Sequence, residues 1–168
     1  MDVAFVVDRT KSVRPENFKL VKGFLLEICD ALSIGPNATH TGFVLFAKSP
    51  NVLNTFADSQ YYSSESVHHL IQNIPENLGS RTFIDRALKA ANNSLFTDEG
   101  GDRPDFPNVL ILLTDGKTNP DSEPFSGIIS SLKVRMPIIA VCHRWPNKYD
   151  LAHHEPPEGT SSDTGHTE

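Results

Sequence analysis

Three oxygen-bearing side chains stand at alternate positions where an apolar run of the sequence ends. In the stretch VAFVVDRTKSV, residues 3–13, basic residues separate Asp8, Thr10 and Ser12. One carboxylate and two hydroxyls on a short loop are hard oxygen donors, which Mg²⁺ and Ca²⁺ prefer to nitrogen or sulfur ligands. The spacing therefore indicates a loop that binds a cation together with ligands from elsewhere in the chain.

Two further oxygen donors each lie beside a predicted regular element. Asp115 follows the apolar run in VLILLTDG (109–116), and Thr82 lies in LGSRTFIDRAL (78–88), a glycine-containing loop that enters a predicted helix. Two carboxylates at one edge of a sheet repel each other unless a cation, a shared proton or a substrate lies between them. Because few of the donors are charged, Mg²⁺ with retained waters fits best, and Mn²⁺ and Ca²⁺ are the alternatives. The predicted metal ligands are Asp8, Thr10, Ser12, Thr82 and Asp115.

Each of these side chains also has a purely structural explanation. Asp8, Thr10 and Ser12 can belong to a capped turn, in which Ser12 or Asn17 satisfies free N–H groups at the start of the next helix. Thr82 can be the N-cap of the helix that follows it. Asp85 is interpreted as a first-turn acid that the helix dipole favours, and not as a ligand. Capping accounts for one oxygen in a loop and leaves Asp115 unexplained, so a metal site is the favoured interpretation.

Short apolar runs rich in β-branched residues recur along the chain and predict strands. They are VAFVV (3–7), FVLF (43–46), VLILL (109–113) and IIAV (138–141). Continuous apolar runs of this length are typical of strands buried on both faces of a parallel sheet. NVLNTF (51–56) follows the second run closely enough to pair with it as an antiparallel hairpin.

Apolar residues at helical spacing separate these strands. The first helix has predicted inward positions at Phe18, Val21, Phe24, Leu25, Ile28 and Leu32, and further helices are predicted over 67–74, 83–96 and 125–132. Alternation of strands and helices predicts an α/β fold with a doubly wound, mostly parallel sheet, flanked by helices, with one antiparallel edge strand. In such a sheet the loops at the carboxyl ends of the strands form a crevice, where the oxygen donors are expected to meet.

Composition limits the class of protein. With 168 residues, 38% hydrophobic content and a formal net charge of −6, the chain suits one globular domain. The acidic balance argues against a nucleic-acid surface, which needs clustered positive charge. No apolar run approaches the roughly 20 residues that span a bilayer, so no membrane insertion is expected, and no secretion signal is apparent.

The periodic pattern stops after Val141. Residues 145–168 are rich in Pro, Ser, Thr, Gly and acidic residues, and they offer little apolar surface to offset the entropy of ordering them. We therefore predict a folded domain over residues 1–144 and a disordered tail over 145–168. Cys29 and Cys142 are interpreted as buried free thiols, because free cysteine packs like a small hydrophobic residue.

The segments that carry the oxygen donors resemble those of the von Willebrand factor A family. DRTKS (8–12) resembles its metal-ion-dependent adhesion site motif, D-x-S-x-S, with threonine in place of the first serine. TGFVLFA (41–47) resembles the second strand of the family, and the stretches around Thr82 and Asp115 resemble its threonine loop and its fourth strand. These parts occur in the order of the family over about residues 2–141, which is more specific than the short motif alone.

The resemblance implies roles for the five ligands. Thr10 and Ser12 would coordinate the metal directly, Asp8 and Asp115 largely through ordered water, and Thr82 directly or through water. The sixth position would be open to a carboxylate from a partner, because mostly neutral direct ligands leave the cation strongly electrophilic. Arg9 and Lys11 are expected to face away from the cation, as a solvated rim or as a selectivity fringe for an acidic partner.

The resemblance is closest to domains of animal extracellular-matrix proteins, namely matrilins, type VI collagen and adhesive skeletal-matrix proteins of corals. It implies a Rossmann-like fold and a non-enzymatic adhesion module, secreted as part of a larger protein. The implied partner is a matrix protein such as collagen, or a cell-surface protein, bound through an acidic side chain. The stretch CHRWPNKYDLAHH (142–154) does not resemble the helix and edge strand with which such domains end, so a truncated C-terminus is expected.

Two other functions compete with adhesion. A phosphohydrolase of the haloacid dehalogenase type also places an aspartate at the end of its first strand, but it needs a second aspartate two residues later as general acid. Thr10 occupies that position here and cannot donate a proton at neutral pH. A spacer domain without metal is the other alternative, and the presence of all five oxygen donors argues against it.

Overall fold

A mixed sheet of five strands lies at the centre of the part of the chain that the structure describes. The computed structural model describes residues 1–76, 78–116, 118–124 and 126–142. The strands are β1 (Asp2–Asp8), β2 (His40–Phe46), β3 (Pro50–Asn54), β4 (Asn108–Thr114) and β5 (Ile138–Cys142). Their order is β3-β2-β1-β4-β5, and every neighbouring pair is parallel except β2 with β3. The predicted doubly wound sheet with an antiparallel edge strand is therefore confirmed.

Helices cover both faces of this sheet. They are α1 (Pro15–Ala31), α2 (Ser64–Gln72), α3 (Ile84–Ser94) and α4 (Ser126–Arg135). α1 begins three residues before the predicted Phe18, because Pro15 suits the first turn of a helix, where no N–H partner is lost. No helix within the described ranges is long and apolar enough to cross a membrane.

Alternate residues of β1 supply two separate hydrophobic layers. Phe5 and Val7 belong to the layer beneath α1 and α2, whereas Ala4 and Val6 belong to the layer beneath α3 and α4. All four are buried, and the ring of Phe5 stacks on that of Phe43 with 4.7 Å between centroids. A central strand buried on both faces explains why its sequence is continuously apolar.

One residue predicted to face inward lies at the surface. Phe24 of α1 is 37% exposed, while its neighbour Leu25 is fully buried. Successive helical residues differ by about 100° around the axis, so two neighbours cannot both point at the sheet centre. The buried stripe runs through Phe18, Val21, Leu25 and Cys29. The inward assignment of Phe24 was therefore wrong.

The thiol of Cys29 is free and buried. Burial raises its pKa to about 12, and the charge of Asp30 adds to the rise. The group is therefore protonated and unreactive at neutral pH. The side chain of Cys142, the predicted tail and the predicted loss of the last helix and strand lie outside the described residues.

A charged clamp ties three segments together at the amino edge of the sheet. Nη2 of Arg103 donates to Oδ1 of Asp2 at 2.6 Å and to the carbonyls of Met1 at 3.0 Å and Ala38 at 2.8 Å. The side chain of Asp2 is fully buried. A buried carboxylate needs such a partner, so Arg103 holds β1 and the loops before β2 and β4 in register.

Candidate metal centre

The carboxyl edge of the sheet brings the two predicted aspartates together. β1 ends at Asp8, and its parallel neighbour β4 ends at Thr114, directly before Asp115. Oδ1 of Asp8 accepts from the backbone N–H of Thr10 at 2.9 Å, and Oδ2 accepts from Oγ1 of Thr114 at 3.0 Å. The Thr114 hydroxyl thus links the ends of the two strands and fixes the orientation of the Asp8 carboxylate.

The electrostatic surroundings of Asp8 fit a cation. Burial raises the pKa of Asp8 above its ordinary value, and the charge of Asp115 contributes in the same direction. Hydrogen bonds from Thr10 and Thr114 oppose the rise, because they stabilise the ionised form. A carboxylate that has lost solvent and faces a like charge gains from a nearby positive ion.

Thr10 and Ser12 place their hydroxyl oxygens side by side. Oγ1 of Thr10 and Oγ of Ser12 are 2.7 Å apart, with Thr10 buried and Ser12 exposed. Two oxygens at right angles on Mg²⁺, with bonds of about 2.0–2.1 Å, lie about 2.9 Å apart. The two hydroxyls are therefore close to the separation that adjacent ligands of a small hard cation require.

Two backbone hydrogen bonds join the loop after β1 to the loop that carries Thr82. The N–H of Lys11 donates to the carbonyl of Gly79 at 2.9 Å, and the N–H of Gly79 donates to the carbonyl of Arg9 at 2.8 Å. A Cβ at position 79 would lie 2.5 Å from the Cβ of Ala47, so only glycine fits there without a shift of the backbone. This pairing sets the distance between the two loops.

The loop after β4 is tied to Thr82 in a similar way. The carbonyl of Thr82 accepts from the N–H of Asn119 at 2.7 Å and from Oγ1 of Thr118 at 3.1 Å. Thr82 itself is buried. All three predicted ligand loops are therefore connected by hydrogen bonds.

Three of the five predicted ligands line one cleft. Its volume is about 400 Å³, and its lining includes Thr10, Ser12 and Thr82. Asp8 is not among the lining residues, but it is hydrogen-bonded to Thr10, and Asp115 is near enough to act on its charge. The structure thus brings the hydroxyl donors to the cleft and the two carboxylates to the adjoining strand ends.

The capping alternatives are wrong for Thr82 and Ser12. The N-cap of α3 is Phe83, and that of α1 is Arg14, and neither helix has a side-chain cap hydrogen bond. Asp85 lies in the first turn of α3, as predicted, and is buried. Neither hydroxyl is therefore explained by a helix start.

Thr114 and Gly79 support the candidate site through hydrogen bonds, and the sequence did not identify them individually. The available signal for Thr114 was its place immediately before Asp115 at the end of a buried strand. Among the described residues, no group of three or more His, Cys, Asp or Glu side chains suits a metal. The hydroxyls of Thr10, Ser12 and Thr82 reach one cleft only once the loops are assembled.

Comparisons with known proteins agree with this arrangement. The chain matches the family model of the von Willebrand factor type A domain over residues 2–158. It is 33% identical over 120 residues to matrilin-3 of Gallus gallus, covering 70% of this chain and 26% of that protein. It is 35% identical over 119 residues to matrilin-1 of Homo sapiens, covering 69% of this chain and 23% of that protein. The chain thus spans about a quarter of the length of these relatives.

Solved structures give the same result. Proximal thread matrix protein 1 from the mussel byssus superimposes with a TM-score of 0.74 at 26% identity, covering 83% of this chain and 36% of that chain. A second structure of that protein, described as having a zinc-occupied MIDAS motif, gives a TM-score of 0.72 at 29% identity, covering 83% of this chain and 34% of that chain. With its sheet order, its connected loops and these matches, the chain belongs to the von Willebrand factor type A domain family.

Proposed function

We propose that this domain is a non-enzymatic adhesion module that binds a divalent cation through Asp8, Thr10, Ser12, Thr82 and Asp115. The observation that carries the proposal is the cleft lined by Thr10, Ser12 and Thr82, beside the buried carboxylate of Asp8. The mussel structure with a zinc-occupied MIDAS motif supports a divalent cation at a site of this kind.

The donor set determines what such a site does. Hydroxyls contact the cation without neutralising it, while the two aspartates supply negative charge at the strand ends. A bound cation then retains enough positive charge to take a carboxylate from outside the chain. In this arrangement Thr114 and the backbone N–H of Thr10 hold the Asp8 carboxylate in place.

Mg²⁺ is the proposed cation, with Mn²⁺ or Ca²⁺ as alternatives. Mg²⁺ prefers oxygen ligands in near-octahedral geometry and keeps several waters, which suits two adjacent hydroxyls and indirectly bound carboxylates. The zinc-occupied MIDAS motif of the mussel protein supports a divalent cation at this kind of site. Comparing the affinities of the chain for Mg²⁺, Mn²⁺, Ca²⁺ and Zn²⁺ identifies the preferred ion.

The proposed partner is an extracellular-matrix protein such as collagen, or a cell-surface protein, which supplies an acidic side chain. Matrilins and a mussel thread matrix protein among the relatives support an extracellular setting. The chain covers only 26% of matrilin-3. We therefore also propose, by similarity, that the domain is part of a larger secreted protein.

Hydrolysis is not the proposed activity. Thr10 stands where a phosphohydrolase of the haloacid dehalogenase type needs its general acid, and its hydroxyl is 2.7 Å from that of Ser12. A metal-free spacer explains neither the paired hydroxyls nor the desolvated carboxylate behind them.

Binding of a short acidic peptide tests the proposal. The immobilised probe is a Gly-Ser peptide with one central Glu, and the control peptide carries Gln instead. We expect the purified chain to bind the Glu peptide in Mg²⁺. We expect this binding to be lost in EDTA, and also in the Asp8→Asn variant. Equal binding of both peptides, or binding that persists in EDTA, would contradict the proposal.

A further inference from the structure

Among the described residues, two cationic side chains line the cleft of an otherwise acidic molecule. The sequence carries a formal net charge of −6, yet Lys11 and Arg81 both contribute to the lining beside Thr10 and Thr82. Clefts lined by one sign of charge concentrate ligands of the opposite sign. Lys11 and Arg81 are the charged residues among the described lining, and they favour an anionic ligand once a bound cation offsets Asp8 and Asp115 at the adjoining strand ends.

The loop pairing brings these two cations to one rim. Lys11 is hydrogen-bonded through its backbone N–H to Gly79, two residues before Arg81. The cations therefore come from different loops whose separation is fixed by main-chain hydrogen bonds. Because both residues line the same cleft, their side chains can reach one anionic group from two loops.

Arg81 adopts a backbone conformation that favours glycine. Its φ is 65°, in the left-handed region, where a Cβ is unfavourable. The next residue is held firmly, since the carbonyl of Thr82 accepts from Asn119 and Thr118. Glycine would relax this position, so an arginine here costs backbone energy. Such strain at a cleft points to a function of the side chain.

In the described structure the guanidinium of Arg81 forms an ion pair with Asp121 of the same chain. Nη1 of Arg81 is 3.6 Å from Oδ2 of Asp121, and the two side chains are 56% and 72% exposed. Asp121 also accepts from Nδ2 of Asn119 at 3.2 Å. An exposed ion pair of this length is weak, so an incoming carboxylate can replace Asp121 at Arg81.

We propose that Lys11 and Arg81 form a second anion subsite beside the metal centre, which takes a second carboxylate of the partner. The favoured ligand is then a segment with two neighbouring acidic residues, one directed at the metal centre and one at the cationic rim. Asp121 is the internal competitor that the second carboxylate displaces. This inference rests on the proposed function, which supplies the position of the first carboxylate.

Two acetylated and amidated Gly-Ser peptides test the subsite in Mg²⁺, one with a single Glu and one with Glu-Asp in its place. We expect the Glu-Asp peptide to bind the native chain about threefold to fivefold more tightly, the size of an exposed charge pair. We expect this ratio to fall toward one in high salt, because mobile ions screen exposed charges.

Substitutions separate the subsite from the fold. Arg81→Gly is expected to remove the preference for Glu-Asp while Mg²⁺ affinity is kept, to weaken single-Glu binding less than Glu-Asp binding, and to keep or raise the melting temperature by releasing the strained φ. Lys11→Gln is expected to reduce the preference, and Asp121→Asn to increase it. Lys133→Gln is the matched control, because this exposed lysine lies in the last turn of α4 and not in the cleft.

The outcomes distinguish this inference from the proposed function. Metal-dependent binding of both peptides with equal affinity overturns the subsite and leaves the metal centre standing. A Glu-Asp preference that persists in Arg81→Gly, or that Lys133→Gln lowers equally, also overturns it. Failure of both peptides to bind in Mg²⁺ overturns the proposed function and the subsite together. Loss of the preference in Arg81→Gly, with intact stability and metal affinity, supports the subsite.

Discussion

Asp8 has both a structural role and a proposed role in metal binding. Its Oδ2 accepts the hydrogen bond from Thr114 that joins the ends of β1 and β4, and its Oδ1 accepts from the backbone of Thr10. Burial and the charge of Asp115 nevertheless raise its pKa. The native chain without metal therefore holds a proton at this position more tightly than the unfolded chain does. Its contribution to stability follows from the sign of this shift.

A pH series in the absence of metal tests that sign. The stability contribution of Asp8 is complete below its unfolded pKa, about 3.9, and is lost as pH rises through its raised folded pKa. Asp8→Asn removes the titration and retains an oxygen to accept from Thr10. We expect the free energy of unfolding of the native chain, minus that of Asp8→Asn, to fall as pH rises from about 3.9 through the raised folded pKa of Asp8. Denaturant titrations in EDTA at each pH measure this difference in unfolding free energy. A difference that rises with pH would contradict a raised pKa of Asp8 in the folded chain.

Residue spacing predicted much of the candidate site but not its supporting contacts. The alternation of Asp8, Thr10 and Ser12 is visible in the sequence, and the structure places the two hydroxyls 2.7 Å apart. The positive φ of Arg81 has no sequence signal, because arginine ordinarily avoids the left-handed region. Assignment of the five residues as metal ligands stays a prediction.

At the scale of elements, Gly79 joins the loop before α3 to the loop after β1 through two backbone hydrogen bonds. Gly79→Ala places a Cβ 2.5 Å from the Cβ of Ala47, directly after β2, and pushes the loop before α3 away from the end of that strand. We expect a loss of about 1–3 kcal/mol in the free energy of unfolding. We also expect weaker Mg²⁺ binding, because Thr10 and Thr82 move relative to each other.

A second glycine provides the matched control for this change. A Cβ at Gly127 of α4 meets nothing within 4 Å, so Gly127→Ala is expected to be neutral or to stabilise by up to about 1 kcal/mol. Chemical denaturation and metal titration of both variants measure the contrast. Equal stability and equal Mg²⁺ affinity of Gly79→Ala and the native chain would show that the loop pairing is dispensable.

The amino edge of the sheet gives the complementary prediction. Arg103→Ala leaves the fully buried carboxylate of Asp2 without its cationic partner. We expect the free energy of unfolding to fall by about 3–5 kcal/mol. Lys89→Ala removes an exposed ion pair with Glu123 and is expected to cost less than about 1 kcal/mol. Urea denaturation of the two variants compares them, and similar losses would refute the clamp.

Element order was predictable because continuous apolar runs and apolar residues at a period of 3.6 are clear in this chain, whereas helix starts were not predictable. Serine and threonine near α1 and α3 suggested side-chain caps, but Arg14 and Phe83 occupy the N-cap positions. Loop contacts across the sheet edge decided those positions. Tertiary hydrogen bonds of this kind cannot be read from local preference.

At the scale of the whole molecule, the fold separates stability from binding. The two hydrophobic layers lie on the two faces of the sheet, and the Arg103 clamp lies at its amino edge. The hydroxyl cleft lies at the opposite, carboxyl edge. Family membership followed from the order of several segments and not from one motif. The proposed partner cannot be predicted in the same way, because side chains around the cleft, and not the fold, determine what it accepts.

Calorimetric titration of Mg²⁺ tests the metal centre most directly. The native chain is compared with Thr10→Val, which keeps the shape and removes the hydroxyl, and with Asp8→Asn. Ser130→Ala in α4 is the control, because it removes a hydroxyl that bonds only within its own helix. We expect one Mg²⁺ per native chain, unchanged affinity in the control, and affinity at least about tenfold weaker in the other two variants. Equal Mg²⁺ affinity in all four proteins would contradict the metal centre.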